Sequence, residues 1–404
     1  SSNHEVLSFC ADDAHGAPIM MMAEELNVEP NDFIIDIKAK HIASLDKFGI
    51  TYTNYHSTHT DENKNLSEEI YLDAKNSGYI YKEEIEQCYD EERGMFLADR
   101  YITGTCPKCK FNNAYGDQCE SCGSTLSPDE LINPKSTISG SAPILKETSH
   151  WYLPMQKHED WLKIWIEKGV LDNKKHHDPE KWKSHVLGQC KSWLKSGLKE
   201  RAMTRDLNWG VQVPLQDAGG KVLYVWLDAP IGYISATKKW AKKNNENWED
   251  YWKNPKTKLI NFIGKDNIVF HCIIFPIILK EHGEYILPHN VPANEFLNLE
   301  GKKISTSRNH AIWIHEYLNT FPNKVDVLRY VLCSISPESK DSDFTWKDFQ
   351  ARNNNELVAI FGNFVNRVIV LVNKYWSGIV PEKNKLETKD KLIIKEISSF
   401  AGNI

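Results

Sequence analysis

The chain has 404 residues, 46.6 kDa, with 41% hydrophobic and 26% charged residues. That excludes a single small domain and a disordered chain, and leaves room for roughly two or three cores. A net charge of −6 gives no whole-chain attraction for phosphate backbones, so any nucleic-acid contact has to be local.

In chain order, EVLSFCADDAHGAPIMMMAEELN reads as strand, loop and helix, and FGITYTNYHSTH followed by NLSEEIYLDAKNSGYI repeats that order. Two such units predict an α/β fold with a parallel sheet and crossover helices. From about Gln87 to about Arg201 the pattern becomes irregular, with Trp-rich amphipathic segments. Strands return in KVLYVWLD and KLINFIGKDN, followed by the helix IVFHCIIFPIILKE. The simplest account is one α/β domain interrupted by a large insertion. After the loop EGKKISTSRN the text turns helical. Its last long helix places Leu357, Phe361, Phe364, Val365, Val368 and Val372 on one face, the signature of a bundle helix. The longest apolar run, Cys272 to Leu279, contains a proline and is far short of the roughly 20 residues a membrane span needs, which predicts no membrane association.

Nine cysteines are present. Cys10, Cys88, Cys190, Cys272 and Cys333 are scattered singly, which is reduced-thiol usage and predicts a cytoplasmic protein without a leader peptide. The other four form the knuckle CPKCKFNNAYGDQCESCG, in which Cys106, Cys109, Cys119 and Cys122 can present four thiolates to one tetrahedral ion. Gly116 and Gly123 would relieve the tight turns. Four sulfur ligands leave no position for water, so one structural Zn2+ per chain is expected. The spacing of His56 and His59 in HSTH lacks accompanying ligands and reads as a hydrogen-bonded loop, and the lysines between Lys191 and Lys199 read as a solvated face.

Four distant segments, CADDAHG, TRDLNWGVQVP, YVWLDAPIGYISA with FIGKDNIVFH, and GKKISTSRN, together resemble the class I aminoacyl-tRNA synthetases, most closely the methionyl-tRNA synthetase family. Their order around a four-cysteine insertion is far more specific than any one motif. The resemblance covers essentially the whole chain. It implies a Rossmann-like, doubly wound parallel sheet split by a zinc-bearing connective insertion and followed by an α-helical bundle. The implied boundaries are 1–86 and 202–290 for the two catalytic parts, 87–201 for the insertion, 291–343 for the lysine loop and stem-contact region, and 344–404 for the anticodon-binding helices.

The same resemblance implies activation of methionine with ATP and Mg2+, then transfer to tRNA(Met). Asp13 would receive the methionine ammonium, as a carboxylate at a strand's end pairs well with a cation, although Asp12 or Asp13 could also serve as a helix N-cap. Trp226, Pro230, Tyr233 and His271 would form the methionine pocket, with Asn267 facing it from one turn before His271. Gly264 and Asp266 match the ATP-ribose site, and Arg205 would lie near the reacting phosphate, the plainer alternative being a surface ion pair with Asp206. Lys303 matches the first lysine of the Lys-Met-Ser-Lys-Ser loop. Thr306 stands where the second lysine belongs, so Lys302, Lys303 or Arg308 would carry the charge. Asn363 and Arg367, spaced i and i+4, match the pair that reads the CAU anticodon. The resemblance also implies a strand with a His-Ile-Gly-His motif upstream of NHEVLSFCADDAHG and more helices after SSFAGNI. The roughly 115 residues of the insertion leave no room for the editing domains of the valyl, isoleucyl and leucyl enzymes. The alternatives are another class I enzyme with a small insertion, or a non-catalytic tRNA-binding or zinc-binding protein that keeps the fold.

Overall fold

The computed structural model describes residues 4–116, 119, 121, 122, 124, 126–305 and 309–400. It divides into two compact units. The first is Ser1–Leu297 with Ile312–Tyr317 and Ser336–Ser342, and the second is Asn298–Ala311 with Leu318–Ile335 and Asp343–Ile404.

In the first unit the strand Phe9–Asp12 pairs in parallel with Asn54–Ser57, the two being joined through the helices Ala17–Glu25 and Pro30–Lys47. Thr60 caps the next helix, Asp61–Asn76, by accepting the Asn63 N–H, and Asp61 and Glu62 in its first turn complement the helix dipole. This helix packs on Val225–Asn244, where Ser235 donates its hydroxyl to the buried Asn63 carboxamide at 2.9 Å. Further parallel pairs join Leu259–Ile260 to Pro288–Asn290 and Ile263–Gly264 to Ala293–Asn294.

The described strands therefore show parallel pairing in three separate two-stranded pieces, whereas one continuous doubly wound sheet was expected. The runs are two to four residues long, the register shifts between Leu259 and Ile260, and Pro288 and Pro292 lack the N–H that would extend a ladder. The longest strands are antiparallel, Tyr81–Asp90 against Ile144–Leu153.

One buried cluster takes Leu66, Ile70 and Tyr71 from the helix after Thr60, Trp165 and Trp182 from the irregular region, and Ile231, Ile234 and Phe275 from the helices beyond it. A smaller cluster gathers Leu97, Tyr101, Ile102, Ala114 and Leu131 around Cys106 and Cys119. A single core thus runs through segments on both sides of residue 201. The helix before Gly283 begins with a wide π turn, Phe270–Ile274, and continues as Phe275–His282. Pro276 explains the widening, because it supplies no N–H to the turn that precedes it.

In the second unit the expected lysine loop begins as a hairpin. Asn298 faces Lys303 and Leu299 faces Lys302, and Glu300 and Gly301 both have positive φ, as a two-residue turn of this hand requires. Reciprocal backbone bonds between Ser305 and His310 close the segment beyond it. The helices Val325–Ser334, Trp346–Arg352, Asn353–Gly362 (a π segment), Asn363–Trp376 and Thr388–Phe400 come next along the chain. Phe361, Phe364, Val365 and Val368 on the expected bundle face are exposed. The helical run Trp346–Trp376 is long and apolar enough, by length and composition, to cross a membrane, although no uninterrupted apolar stretch of that length occurs in the sequence. Its apolarity is one-sided: Asn363, Asn366, Arg367, Asn373 and Lys374 interrupt it, as in a helix that packs on other helices.

Candidate active site and metal centre

At the carboxyl end of the first strand the turn Asp13–Ala14–His15 is held from three sides. The Ala14 N–H donates to Thr58 Oγ1 at 2.9 Å, and the Trp209 indole N–H donates to the Ala14 carbonyl at 2.7 Å. His15 Nδ1 donates to Asp228 Oδ2 at 2.7 Å, and its Nε2 lies 3.0 Å from His59 Nδ1. His59 stacks on Trp209 with centroids 4.5 Å apart. Gly16, at φ 92, is the N-cap of the following helix, so neither Asp12 nor Asp13 has that role. Asp12 instead accepts bonds from Tyr55 Oη (2.6 Å) and His41 Nδ1 (2.7 Å).

Burial pushes the Asp13 carboxyl up to about 7, and the nearby Asp228 carboxylate adds to the rise, while His15 and its backbone N–H oppose it. Asp228 is itself raised, chiefly by burial, and its Oδ1 has no partner among the described residues. The two carboxyls differ in setting, Asp228 being wholly buried and Asp13 keeping an exposed surface.

The wall beside them comes from two helices. Trp226 stacks on Phe270 at 4.4 Å with 17° between the rings, and Arg201 lies 5.0 Å above Phe270. Pro230 sits inside the helix Val225–Asn244, where it leaves the Trp226 carbonyl without its helical donor. Tyr233 and His271 meet at 2.9 Å through Oη and Nε2. The His271 Nδ1–H donates to the Asn267 carbonyl at 3.0 Å, which leaves Nε2 to accept the phenol proton. Burial lowers the His271 pKa and raises that of Tyr233 to about 12, so both are neutral near pH 7. The Asn267 side chain was expected to face the same pocket along one helix. Its carbonyl makes the contact instead, and Lys265–Asn267 is a short 3-10 turn before the π turn that carries His271.

A Cβ at Gly264 would lie 2.7 Å from Asp266 Oδ1, so glycine lets that carboxylate fold back over the strand end. Arg205 stacks on Tyr224 at 3.9 Å and donates Nη1 to the carbonyls of Ala202 and Thr204. The expected alternative of an Arg205–Asp206 ion pair is not formed. Asp206 is bound instead by Lys221, by Thr148 at 2.9 Å and by His150 at 3.1 Å. Lys303 is exposed at the hairpin edge, and Thr306 and Arg308 lie outside the described residues. Asn363 and Arg367 are exposed on one α-helix.

The four knuckle thiols lie within 4.8 Å of one another, with Cys106–Cys122 at 3.9 Å and Cys109–Cys119 at 3.5 Å. These separations are too long for disulfides, and all nine cysteines are free. Sulfurs about 2.3 Å from a tetrahedral ion are roughly 3.8 Å apart, so the donor set fits zinc. Ser124 Oγ, 3.3 Å from Cys122 Sγ, helps to draw that thiol down to about 6, towards the thiolate a metal requires. Gly116 is needed for a different reason than a tight turn: a Cβ there would sit 2.6 Å from the Asp99 carbonyl. Gly123 lies outside the described residues.

Residues 1–369 match the family model described as "tRNA synthetases class I (M)", and the chain belongs to that family. Among its relatives are proteins named methionine–tRNA ligase. The one from Christiangramia forsetii is 56% identical over 401 residues, 99% of this chain and 57% of that protein, and the one from Bacteroides fragilis is 54% identical over 400 residues, again 99% and 57%. The chain therefore spans just over half the length of the curated relatives it matches. A solved Mycobacterium tuberculosis methionyl-tRNA synthetase bound by methionyl-adenylate has the same fold, with TM-score 0.72 at 20% identity over 97% of this chain and 69% of that one.

Sequence reading missed His15, Arg201, Trp209 and Asp228, and took His59 as part of a hydrogen-bonded loop without its partner His15. His15 and Asp228 stand inside the quoted motifs CADDAHG and YVWLDAPIGY, but nothing in the linear sequence pairs two residues 213 positions apart.

Proposed function

We propose that this chain serves ATP-dependent activation of L-methionine and its transfer to the 3′ end of tRNA(Met). The observation that carries the reading is the neutral Tyr233–His271 pair beside the Trp226–Phe270 stack, with the Asp13 carboxyl at the neighbouring strand end. An apolar wall with two fixed polar points and a nearby carboxylate suits an amino acid whose side chain is a thioether. The likeness to proteins named methionine–tRNA ligase supports it.

On this reading Asp13 receives the ammonium, Trp226, Pro230, Tyr233 and His271 enclose the thioether, and Gly264 and Asp266 hold the ATP ribose. The methionine carboxylate attacks the α-phosphorus, pyrophosphate leaves, and the adenylate forms. A ribose hydroxyl of the terminal adenosine then attacks the activated carbonyl and AMP departs. Arg205 and Lys303, with Mg2+ on the phosphates, balance the charge that grows on the leaving oxygens. Thr306 can add a hydrogen bond but no charge. Cys106, Cys109, Cys119 and Cys122 would hold one structural zinc, Asn363 and Arg367 would read the anticodon, and the reaction would take place in the cytoplasm.

The test is exchange of labelled pyrophosphate into ATP by the full-length protein, with each amino acid in turn. Methionine alone should drive it. Exchange with another amino acid, or with none, would overturn the reading.

A further inference from the structure

The stacked pair Trp226–Phe270 stands on two places where the backbone is irregular. Phe270 opens the π turn, and Trp226 lies one turn before Pro230, which leaves the Trp226 carbonyl without a helical donor. Neither ring is placed by a regular helix alone, so the groups around the pair decide where it sits.

Arg201 is such a group. It belongs to the short strand Arg201–Ala202, whose first residue faces Leu153 at the end of the long antiparallel pair formed by Tyr81–Asp90 and Ile144–Leu153. Its guanidinium lies 5.0 Å from the ring centroid of Phe270 and 5.3 Å from that of Tyr224, and its Nη2 donates to Tyr224 Oη at 3.1 Å. Among the described residues no carboxylate pairs with it, and its buried Nε has no acceptor. Tyr224 also carries Arg205, at 3.9 Å. An arginine keeps its charge in such a setting, so this cation is balanced by two aromatic rings and a phenol oxygen in place of an acid. Displacing either ring would weaken that balance, and the guanidinium therefore restrains Phe270 as well as packing beside it.

We propose that Arg201 is a positioning residue for the pocket, tying Phe270, and through it the Trp226 wall, to Tyr224 and to the strand that closes the long antiparallel pair. The clamp rests on these contacts. That the slot it shapes takes the methionine side chain rests on the proposed methionine reading.

The test uses the full-length protein labelled with fluorotryptophan, in which the Trp226 resonance is assigned by its loss in Trp226→Phe. Arg201→Met keeps an unbranched apolar stem and removes the cation. It should shift the Trp226 resonance and raise the Michaelis constant for methionine in pyrophosphate exchange about tenfold, with the turnover number and the constant for ATP each within about twofold of the parent. Tyr224→Phe removes only the phenol that anchors the guanidinium, so it should shift the same resonance in the same direction and add little on top of Arg201→Met. An unmoved Trp226 resonance in Arg201→Met would overturn the proposal. So would a parallel rise of both Michaelis constants, which would make Arg201 a support of the fold at large. If Arg201→Met failed to fold, Tyr224→Phe would decide alone, and an unmoved resonance there would overturn the clamp. If the resonance moves and the methionine constant does not, the clamp stands and the placement of methionine against Trp226 falls.

Discussion

At the residue scale, the proposed methionine pocket carries a prediction that separates it from the proposed ATP site. Trp226→Ala removes one face of the stack with Phe270 and nothing expected to touch ATP. The Michaelis constant for methionine should rise about tenfold or more while that for ATP stays within about twofold, since losing part of an apolar wall costs about 1–3 kcal/mol of binding. Steady-state pyrophosphate exchange checks this, and equal effects on both substrates would displace the pocket from Trp226. Trp226, Pro230 and Tyr233 could be read from the sequence only through the family resemblance of the motif they share, and one helix, Val225–Asn244, carries all three. Partners drawn from distant segments could not. Arg205 and Asp206 show the limit: adjacency suggested a pair, yet the strand sends them to opposite sides, one to Tyr224 and the other to Lys221 and His150.

At the scale of elements, the knuckle was legible because four thiols at fixed spacing admit few geometries, whereas the hairpin at Leu299–Lys302 was not, because Glu300 gives no sign of its left-handed backbone. Elemental analysis of protein purified without chelator should find one zinc per chain. Cys119→Ser should abolish it and loosen the cluster around Leu97, Tyr101 and Ile102, visible as faster amide exchange there. Zinc retained at full stoichiometry in that variant would remove Cys119 from the site. On the helix Asn363–Trp376 the polar pair is exposed and remote in sequence from the pocket. Arg367→Ala should lower the rate of tRNA aminoacylation at least tenfold and leave adenylate formation near normal. A parallel loss of both reactions would make Arg367 a structural residue.

At the scale of the whole molecule, buried histidines set the acid limit. Burial lowers His56 and His177 to about 4 from an ordinary value of 6.5. Their folded pKa values are depressed, so the unfolded chain binds more protons between these limits. The stability they contribute is complete above about pH 6.5 and is lost as pH falls towards 4. Asp13 works the other way, since its raised pKa favours the folded state at low pH and that advantage fades between about 4 and 7. Burial also lowers His59, His158, His176 and His271, against the two raised carboxyls of Asp13 and Asp228, so urea midpoints should fall as pH drops from 6.5 to 4, and a flat profile would mean that these rings are hydrated. The fold class was legible in alternating strand and helix patterns, but the splitting of the parallel sheet into short pairs was not, because it depends on register and on where prolines fall between neighbours. The wide turn at Phe270–Ile274 carries a further consequence, for alignment and for engineering. It adds a residue to one turn, so the chain on either side is out of phase with an ordinary helix. Deleting one residue between Asn267 and His271 would regularise the helix yet rotate everything before the cut by about 100° relative to the helix beyond it. Tyr233 and His271 would then part although every side chain of the pocket was still present, and a shortened protein that still bound methionine would show that the phase of this turn is free to drift.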